Sequence, residues 1–351
     1  MAIPVGMIRW LMVGVMVACL APVWAVGHVT GTVYFLRGGG RVPVAGARVC
    51  VGAAATTSDA AGRFALDAPD GAQTVVVTHP HFHDPLTLPV AVVDDATTEV
   101  DAHLGQVYYL FVGINAYTDS HLPHLRSAVR DARSMRAALT ASFWGDDVTL
   151  LDRQATKACI GDAVTRLIAA MTPADYFVFY YSGHGGTALG PGDGTHYDFL
   201  QPVDSDANHP ERDLYDTEVA AWLACLPAPT HAVLILDSCH AGGFLRGTPV
   251  AGEVWKRGGD APLPSIGCTL LAATGAHEYS IDDERGGFFT RRLVQGLTHA
   301  HAQADVDHNR DLTASELLDY TASAVTRAAK AVHETQHPCL LPGSNPALLR
   351  Y

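Results

Sequence analysis

Residues 176–186 read YFVFYYSGHGG, and residues 232–243 read AVLILDSCHAGG. Each segment begins with an unbroken apolar run, which is typical of strands buried on both faces of a parallel sheet. Each run then ends in a reactive side chain among glycines, His184 in the first segment and Cys239 in the second. Because the carboxyl ends of parallel strands meet at one edge of a sheet, we expect the two side chains to share that edge.

A histidine and a cysteine placed together indicate nucleophilic catalysis. A thiol becomes a strong nucleophile as a thiolate, and imidazole is the usual base that removes its proton. The neighbouring glycines, Gly185 among them, allow a substrate backbone to approach and leave main-chain N–H groups to face an oxyanion. A single His or Cys at the end of a strand usually serves packing alone. Two such residues, each among glycines at the end of an apolar strand, favour a catalytic site.

Strands alternate with helices from about residue 106 onward, which predicts an α/β layered fold with a mostly parallel sheet. The predicted segments are a strand at 108–114, a helix at 125–139, a strand at 148–151 and a helix at 157–171. Residues 28–104 instead alternate apolar and polar residues between Gly, Pro and Asp turns. That pattern predicts a small all-β sandwich domain before the α/β domain.

The composition is that of a globular protein, with 351 residues, 48% hydrophobic and 17% charged. This length favours about two domains. Lys plus Arg number 23 and Asp plus Glu 36, for a net charge of -13, which disfavours a nucleic-acid partner. No C-x-x-C motif indicates zinc or thioredoxin chemistry, and the sequence predicts no organic cofactor.

Residues 1–25 have the features of an export signal. One positive charge precedes an apolar run at residues 10–20, and small residues follow where a signal peptidase cleaves. The run is short for a membrane span, so a periplasmic or secreted protein is expected. The alternative is a lipoprotein acylated at Cys19, which would be the one reason to expect a membrane partner.

The segments around His184 and Cys239 resemble the two catalytic blocks of metacaspases and bacterial caspase-like cysteine peptidases. Four more stretches resemble the same family: LFVGINAY (110–117), LRSAVRDARSM (125–135), FLQPVDSD (199–206) and LLAATGAHEYSIDDERGGFFTRRLVQGL (270–297). They define a caspase-like domain at residues 106–332 and leave 333–351 as a C-terminal tail. Residues 28–104 are similar to the carboxypeptidase-regulatory-like β-sandwich, which implies a binding or spacer role.

The resemblance implies a cysteine endopeptidase acting on protein or peptide substrates. Cys239 would be the nucleophile, His184 the base and then the acid, and the N–H groups of Gly185 and Cys239 the oxyanion hole. An acidic pocket for Arg or Lys before the scissile bond would comprise Asp131, Ser182 and Asp237, since carboxylates suit a cationic side chain. One departure is Ala128, where metacaspases often have a cysteine.

Other interpretations of these residues stay open at this point. Asp131 could be an ordinary solvated helix carboxylate, and Asp237 could shape its loop through hydrogen bonds. The whole chain could also be a catalytically silent or regulated scaffold that binds a protein partner through its β-sandwich.

Residues 305–316 read DVDHNRDLTASE and fit the twelve-position calcium loop of an EF-hand. Position six is Arg310 where Gly is usual, at a cost of about 1 kcal/mol for a positive φ. An acidic loop without a metal is the alternative. The five oxygen-bearing candidates for calcium are Asp305, Asp307, Asn309, Asp311 and Glu316.

Two further segments carry weaker expectations. His79, His81 and His83 alternate as metal ligands on a strand could, but Pro80 and Pro85 interrupt the segment, so a solvated loop is expected. The Gly- and Pro-rich residues 244–265 predict an exposed loop, at the place where caspase-like enzymes are often cut.

Overall fold

The computed structural model describes residues 25–189, 196–245 and 266–351. These residues form a β-sandwich followed by an α/β domain with a mostly parallel sheet, as the sequence predicts. Residues 1–24 of the expected export signal, and residues 246–265 of the expected loop, lie outside the described residues. Within the described ranges, no helix has both the length and the apolar character needed to cross a membrane.

The sandwich packs two four-stranded sheets face to face. One sheet contains the first, second, fifth and eighth strands, and the other contains the remaining four. Val29 and Val33 of the first sheet share one core with Val49 and Val77 of the second, because alternate residues of each strand point inward. The strands are β1 (Val26–Arg37), β2 (Gly40–Pro43), β3 (Arg48–Val51), β4 (Ala54–Thr57), β5 (Arg63–Pro69), β6 (Gly71–Thr78), β7 (Leu86–Val92) and β8 (Thr97–His103).

The second domain contains six helices and thirteen strands among the described residues. The helices are α1 (Ala128–Ser142), α2 (Lys157–Ala170), α3 (Asp216–Ala224), α4 (Phe288–Thr298), α5 (His301–Ala304) and α6 (Ala314–Ala331). The strands are β9 (Val107–Gly113), β10 (Gly145–Leu151), β11 (Tyr176–Ser182), β12 (Gly185–Leu189), β13 (His196–Leu200), β14 (Leu214–Tyr215), β15 (Ala232–Asp237), β16 (Thr269–Ala272), β17 (Asp282–Asp283), β18 (Gly286–Gly287), β19 (Asp311–Thr313), β20 (Cys339–Leu341) and β21 (Ala347–Arg350).

The central sheet has the order β10-β9-β11-β15-β16-β20, and all its pairs are parallel except β16 with β20. Helices α2 and α3 cover one face, and α1, α4 and α6 cover the other. Strands β9, β11 and β15 are therefore buried on both sides, which explains their continuous apolar sequences. Each buried Leu, Ile or Phe contributes about 1.5–3 kcal/mol to folding.

The C-terminal residues belong to this domain and are not a tail. Strand β20 pairs antiparallel with β16 at the edge of the central sheet, and β21 pairs with β19. Leu348 and Leu349 are buried in the core under α1 and α6. The sequence gives little warning of this because strands of three or four residues are too short to show a period.

The histidine-rich loop after β6 contacts the second domain, so the expectation of a solvated loop is wrong. The His83 ring stacks between Phe143 and Tyr176, with centroid distances of 3.8 and 4.0 Å. The ring of His81 stacks on Trp144 at 4.5 Å, and its Nδ1 lies 2.5 Å from the carbonyl of Ser142. Burial, followed by the nearby Arg350 and His231, lowers the pKa of His83 to about 3. The ring is therefore a neutral stacking group in the junction between the domains.

Candidate active site

The site lies at the carboxyl edge of the central sheet, where β11 and β15 end side by side. The two strands are parallel and in register, and Ser182 is the partner of Asp237. His184 and Cys239 each follow two residues later, so the register brings the histidine and the cysteine to the same pocket. The N–H of Gly183 donates to the carbonyl of Asp237 at 3.3 Å and ties the two strand ends together.

The His184 ring is held by contacts on several sides. Its Nε2 lies 2.8 Å from the carbonyl of Pro123, which can only accept a hydrogen bond. The ring packs against Tyr117, whose hydroxyl accepts from the His184 N–H at 2.6 Å. The hydroxyl of Tyr181 donates to the carbonyl of His184 at 2.8 Å. When the neutral ring carries its proton on Nε2, Nδ1 keeps a lone pair and is the atom able to act as a base.

The Cys239 thiol is half-buried at the turn after β15. Burial raises its pKa, a main-chain hydrogen bond from Ser280 lowers it, and the nearby Asp237 raises it again, with a net rise. The resting group is therefore a thiol that needs a base before it can attack. The turn is held at the next residue, His240, which has a φ of +59° and donates from its N–H to the carbonyl of Glu278 at 2.9 Å.

Gly185 lies directly against the cysteine turn. A Cβ at this position would be 2.7 Å from the carbonyl oxygen of Cys239 and 2.9 Å from Oγ of Ser238. No other residue fits without displacing the backbone beside the cysteine. The structure therefore brings together the three residues that the sequence singles out for catalysis, His184, Cys239 and Gly185.

The pocket beside the histidine and the cysteine has a volume of about 250 Å³ and contains three carboxylates. Two of them, Asp131 and Asp237, are among the predicted substrate-binding residues, and Ser182 lines the pocket with them. The third, Asp282, was missed from the sequence. The remaining lining residues are Leu125, Ser127, Ala128, Gly183, His184, Cys239, Tyr279, Ser280 and Gly287.

Asp237 is buried and its two oxygens are held by hydroxyl donors. Oδ1 accepts from Oγ of Ser280 at 2.6 Å, and Oδ2 accepts from Oγ1 of Thr290 at 2.6 Å and from its N–H at 3.2 Å. Burial raises the pKa of Asp237, and these hydrogen bonds partly offset the rise. These hydrogen bonds fix the position of both oxygens at the buried end of the pocket.

Asp131 lies in the first turn of α1 and is only 4% exposed, so it is not a solvated helix carboxylate. Its Oδ2 accepts from the N–H of Gly287 at 2.8 Å. Burial, together with the negative charge of Asp237, raises the pKa of Asp131 to about 7. Gly287 separates the two carboxylates, since a Cβ there would be 2.6 Å from Asp237 Oδ2 and 3.2 Å from Asp131 Oδ2.

Asp282 lies on β17 at the exposed side of the pocket. Its Oδ2 accepts from Oγ of Ser127 at 3.1 Å, so it is anchored to the residue before α1. The sequence offered a signal, because Asp282 lies within the family-like stretch at 270–297 and next to a second aspartate. Its position depends on the hairpin of β17 and β18, which sequence spacing does not predict.

The predicted metal ligands form a separate cluster. Carboxylate oxygens of Asp305, Asp307 and Glu316 lie within 4.8 Å of one another. Arg310 has a φ of +74°, the left-handed conformation expected at position six. The Asp311 side chain is instead directed to Arg350, with Oδ1 2.5 Å from Nε, and it is not part of the cluster. Asn309 accepts from the N–H of Asp311 at 2.7 Å.

Comparison with known proteins identifies similar sequences. The family model described as the caspase domain matches residues 107–347. Metacaspase-1 of Scheffersomyces stipitis is 32% identical over 155 residues, which cover 40% of this chain and 37% of that protein. Metacaspase-8 of Arabidopsis thaliana is 30% identical over 151 residues, covering 39% and 37%. The chain thus spans less than half the length of these curated relatives.

Among solved structures, protein GSU0716 from Geobacter sulfurreducens is similar over 67% of this chain and 92% of that one. Its TM-score is 0.47, and its sequence identity is 18%.

Proposed function

Since the chain belongs to the caspase domain family, a family of cysteine peptidases, we propose that it is an endopeptidase that uses His184 and Cys239 and cleaves after Arg or Lys. The observation that carries the proposal is the placement of this pair beside one pocket with three carboxylates. His184 as base and Cys239 as nucleophile account for the reaction. The acidic pocket accounts for the preference for Arg or Lys before the scissile bond.

The proposed reaction begins with proton transfer from Cys239 Sγ to His184 Nδ1. The thiolate then attacks the carbonyl carbon of the scissile peptide, and the oxyanion accepts hydrogen bonds from the N–H groups of Gly185 and Cys239. The C–N bond breaks as the His184 imidazolium gives its proton to the leaving amine, which leaves a thioester on Sγ. Water, deprotonated by the same imidazole, hydrolyses the thioester and restores the thiol.

The pocket supports a cationic side chain before the scissile bond. Asp237 and Asp131 form its buried end, and Asp282 is at its exposed side, so a long side chain reaches more than one carboxylate. A guanidinium donates in a planar fork and binds paired carboxylates better than an ammonium does. Arg is therefore expected to be preferred to Lys, and Asp or Glu to be excluded by repulsion.

The specificity is tested by profiling cleavage of a peptide library at the residue before the cut. We expect Arg first and Lys second. In the variant Asp282→Asn, we expect KM for an Arg-ended fluorogenic peptide to rise about 3- to 10-fold with little change in kcat, since a partly exposed charge contributes modest, mostly uniform binding. Glu284→Gln is the matched control, because Glu284 is an exposed acid on the same hairpin that does not line the pocket.

Two outcomes would decide against the proposal. A preference for Asp or for apolar residues would contradict the cationic pocket. Absence of cleavage in every library, by wild type and variants alike, would favour the catalytically silent scaffold, in which the β-sandwich binds a partner.

We also propose that residues 1–25 direct export and are then removed, as their charge and apolar run favour. Intact-mass measurement on protein recovered from the producing cell is expected to give a chain that starts near residue 26. A mass that includes a diacylated Cys19 would instead identify a membrane-anchored lipoprotein.

A further inference from the structure

We propose that residues 305–316 bind a calcium ion and that the ion is coupled, through Arg350, to the junction between the β-sandwich and the second domain. This inference is independent of the peptidase chemistry, since the loop lies apart from the pocket that contains Cys239. It rests on the carboxylate cluster, on one buried carboxylate oxygen without a donor, and on the contacts of the C-terminal strand.

The cluster concentrates negative charge in a small volume. Asp305, Asp307 and Glu316 each contribute one carboxylate oxygen, and the three atoms lie within 4.8 Å of one another. Like charges at this separation repel one another, since a protein surface screens them less than bulk water does. A divalent cation between them removes the repulsion, and hard oxygen ligands of this kind are those that calcium takes.

Asp305 provides the second and more specific observation. The residue is 1% exposed, and its Oδ1 has no hydrogen-bond partner among the described residues. Its Oδ2 accepts from the N–H of Arg310 at 3.0 Å and from the hydroxyl of Tyr351 at 2.9 Å. A buried carboxylate oxygen without a donor is costly, so Oδ1 lacks a partner in a side chain that lies beside two other acids.

The loop is already folded in the form that the ligands need. His308 and Arg310 have φ values of +58° and +74°, which makes the tight turn without a glycine. Oε1 of Glu316 accepts from the N–H of Val306, and Oε2 accepts from the N–H and the hydroxyl of Thr313, so the carboxylate is fixed in position beside the loop. Calcium accepts a flexible shell of six to eight oxygens, whereas magnesium demands a smaller octahedral shell.

Arg350 links this loop to the rest of the molecule. Its guanidinium pairs with both oxygens of Asp311, at 2.5 and 3.0 Å, and donates to the carbonyls of Phe82 and His83 at 2.9 and 3.3 Å. Its N–H donates to Oγ of Ser142 at the end of α1. Through its side chain Arg350 therefore contacts position seven of the loop and the histidine-rich loop of the sandwich, and through its main chain it contacts the end of α1.

This geometry makes the two regions thermodynamically coupled. Position seven ligates calcium through its main-chain oxygen, so an ion fixes the backbone of Asp311 and with it the carboxylate that holds Arg350. A fixed Arg350 in turn orders the carbonyls of Phe82 and His83. By linkage, whatever loosens Arg350 must weaken calcium binding by the same factor that calcium strengthens the junction.

The binding half is tested by calorimetric titration of the full chain with CaCl₂ and by thermal melts. We expect a dissociation constant on the order of 10⁻⁴ to 10⁻³ M, as for extracellular calcium modules. At 10 mM calcium the melting temperature is expected to rise by roughly 5 °C. Glu316→Gln should abolish both signals, and the exposed Glu334→Gln should change neither. Absence of heat at 10 mM calcium, or an equal response to magnesium, would overturn the calcium site.

The coupling half is tested by hydrogen–deuterium exchange in the peptide that contains residues 81–84. Calcium is expected to slow exchange there in the wild type. Arg350→Lys keeps the charge but loses the planar fork, so it should weaken calcium binding about 3- to 10-fold and remove the effect on residues 81–84. If calcium binds but exchange in the wild type is unchanged, the site stands and the coupling is wrong.

Discussion

Replacing Cys239 with alanine is expected to lower kcat/KM for an Arg-ended peptide by at least about 10³-fold, because the variant has no atom that can form the acyl-enzyme. The rest of the site should stay assembled. The turn around residue 239 is held by main-chain contacts, such as the hydrogen bond from His240 to Glu278, and these do not involve the thiol. Loss of one half-buried sulfur is expected to change the free energy of unfolding by no more than about 1 kcal/mol.

The comparison needs a cysteine whose loss should not matter. Cys159 is exposed near the start of α2, away from the pocket, so Cys159→Ala is the matched control and should keep full activity. Circular dichroism and thermal melts of all three proteins establish that the fold is intact. Activity of Cys239→Ala near the wild-type level would disprove the assignment of the nucleophile.

The position of the catalytic pair could be predicted from the sequence because it follows from the strands. Continuous apolar runs identify β11 and β15 as buried parallel strands, and the ends of such strands meet at one edge. The residues after them, His184 and Cys239, then lie at the same edge of the sheet, whatever the conformation of the loops that follow. The pairing of Asp131 with Asp237 came from family resemblance, since nothing in helix or strand periodicity brings α1 to the end of β15.

The residues that were missed lie where tertiary contacts decide the backbone. The carbonyl of Pro123 lies within hydrogen-bonding distance of His184 because the chain between β9 and α1 folds back towards the pocket. Asp282 reaches the pocket on the hairpin of β17 and β18, whose strands have two residues each. Neither segment has a hydrophobic periodicity from which its position in the fold could be predicted.

The histidine-rich loop shows the same limit. His83 stacks between Phe143 and Tyr176, which are distant in sequence, so no local pattern distinguishes its docked loop from a solvated one.

The second large effect is expected from Asp131→Asn, and it should depend on pH. Burial and the charge of Asp237 raise the pKa of Asp131 to about 7, so the carboxylate is mostly ionised at pH 8 and mostly protonated at pH 5.5. The ionised form attracts a guanidinium. At pH 8, KM for an Arg-ended peptide should therefore rise about 10-fold in the variant, whereas at pH 5.5 wild type and variant should differ little.

Stability should change in the opposite direction. An aspartate with a pKa near 4 when unfolded and about 7 when folded binds more protons in the native state between these values, so stability falls as pH rises through that window. Asparagine carries no charge and its carbonyl can still accept from the N–H of Gly287. Asp131→Asn should therefore be more stable than wild type at pH 8, by on the order of 2 to 4 kcal/mol, and similar to it near pH 4.

Urea denaturation at pH 4.5 and pH 8 measures this difference, and Asp319→Asn, at an exposed position on α6, is the control that should show none. A gain in stability together with a loss of Arg binding at the same pH would mean that the buried charge is kept at the expense of folding because the substrate needs it. If Asp131→Asn instead loses stability at pH 8, the carboxylate is well paired in the free enzyme. The explanation of its raised pKa by burial and by the charge of Asp237 is then wrong.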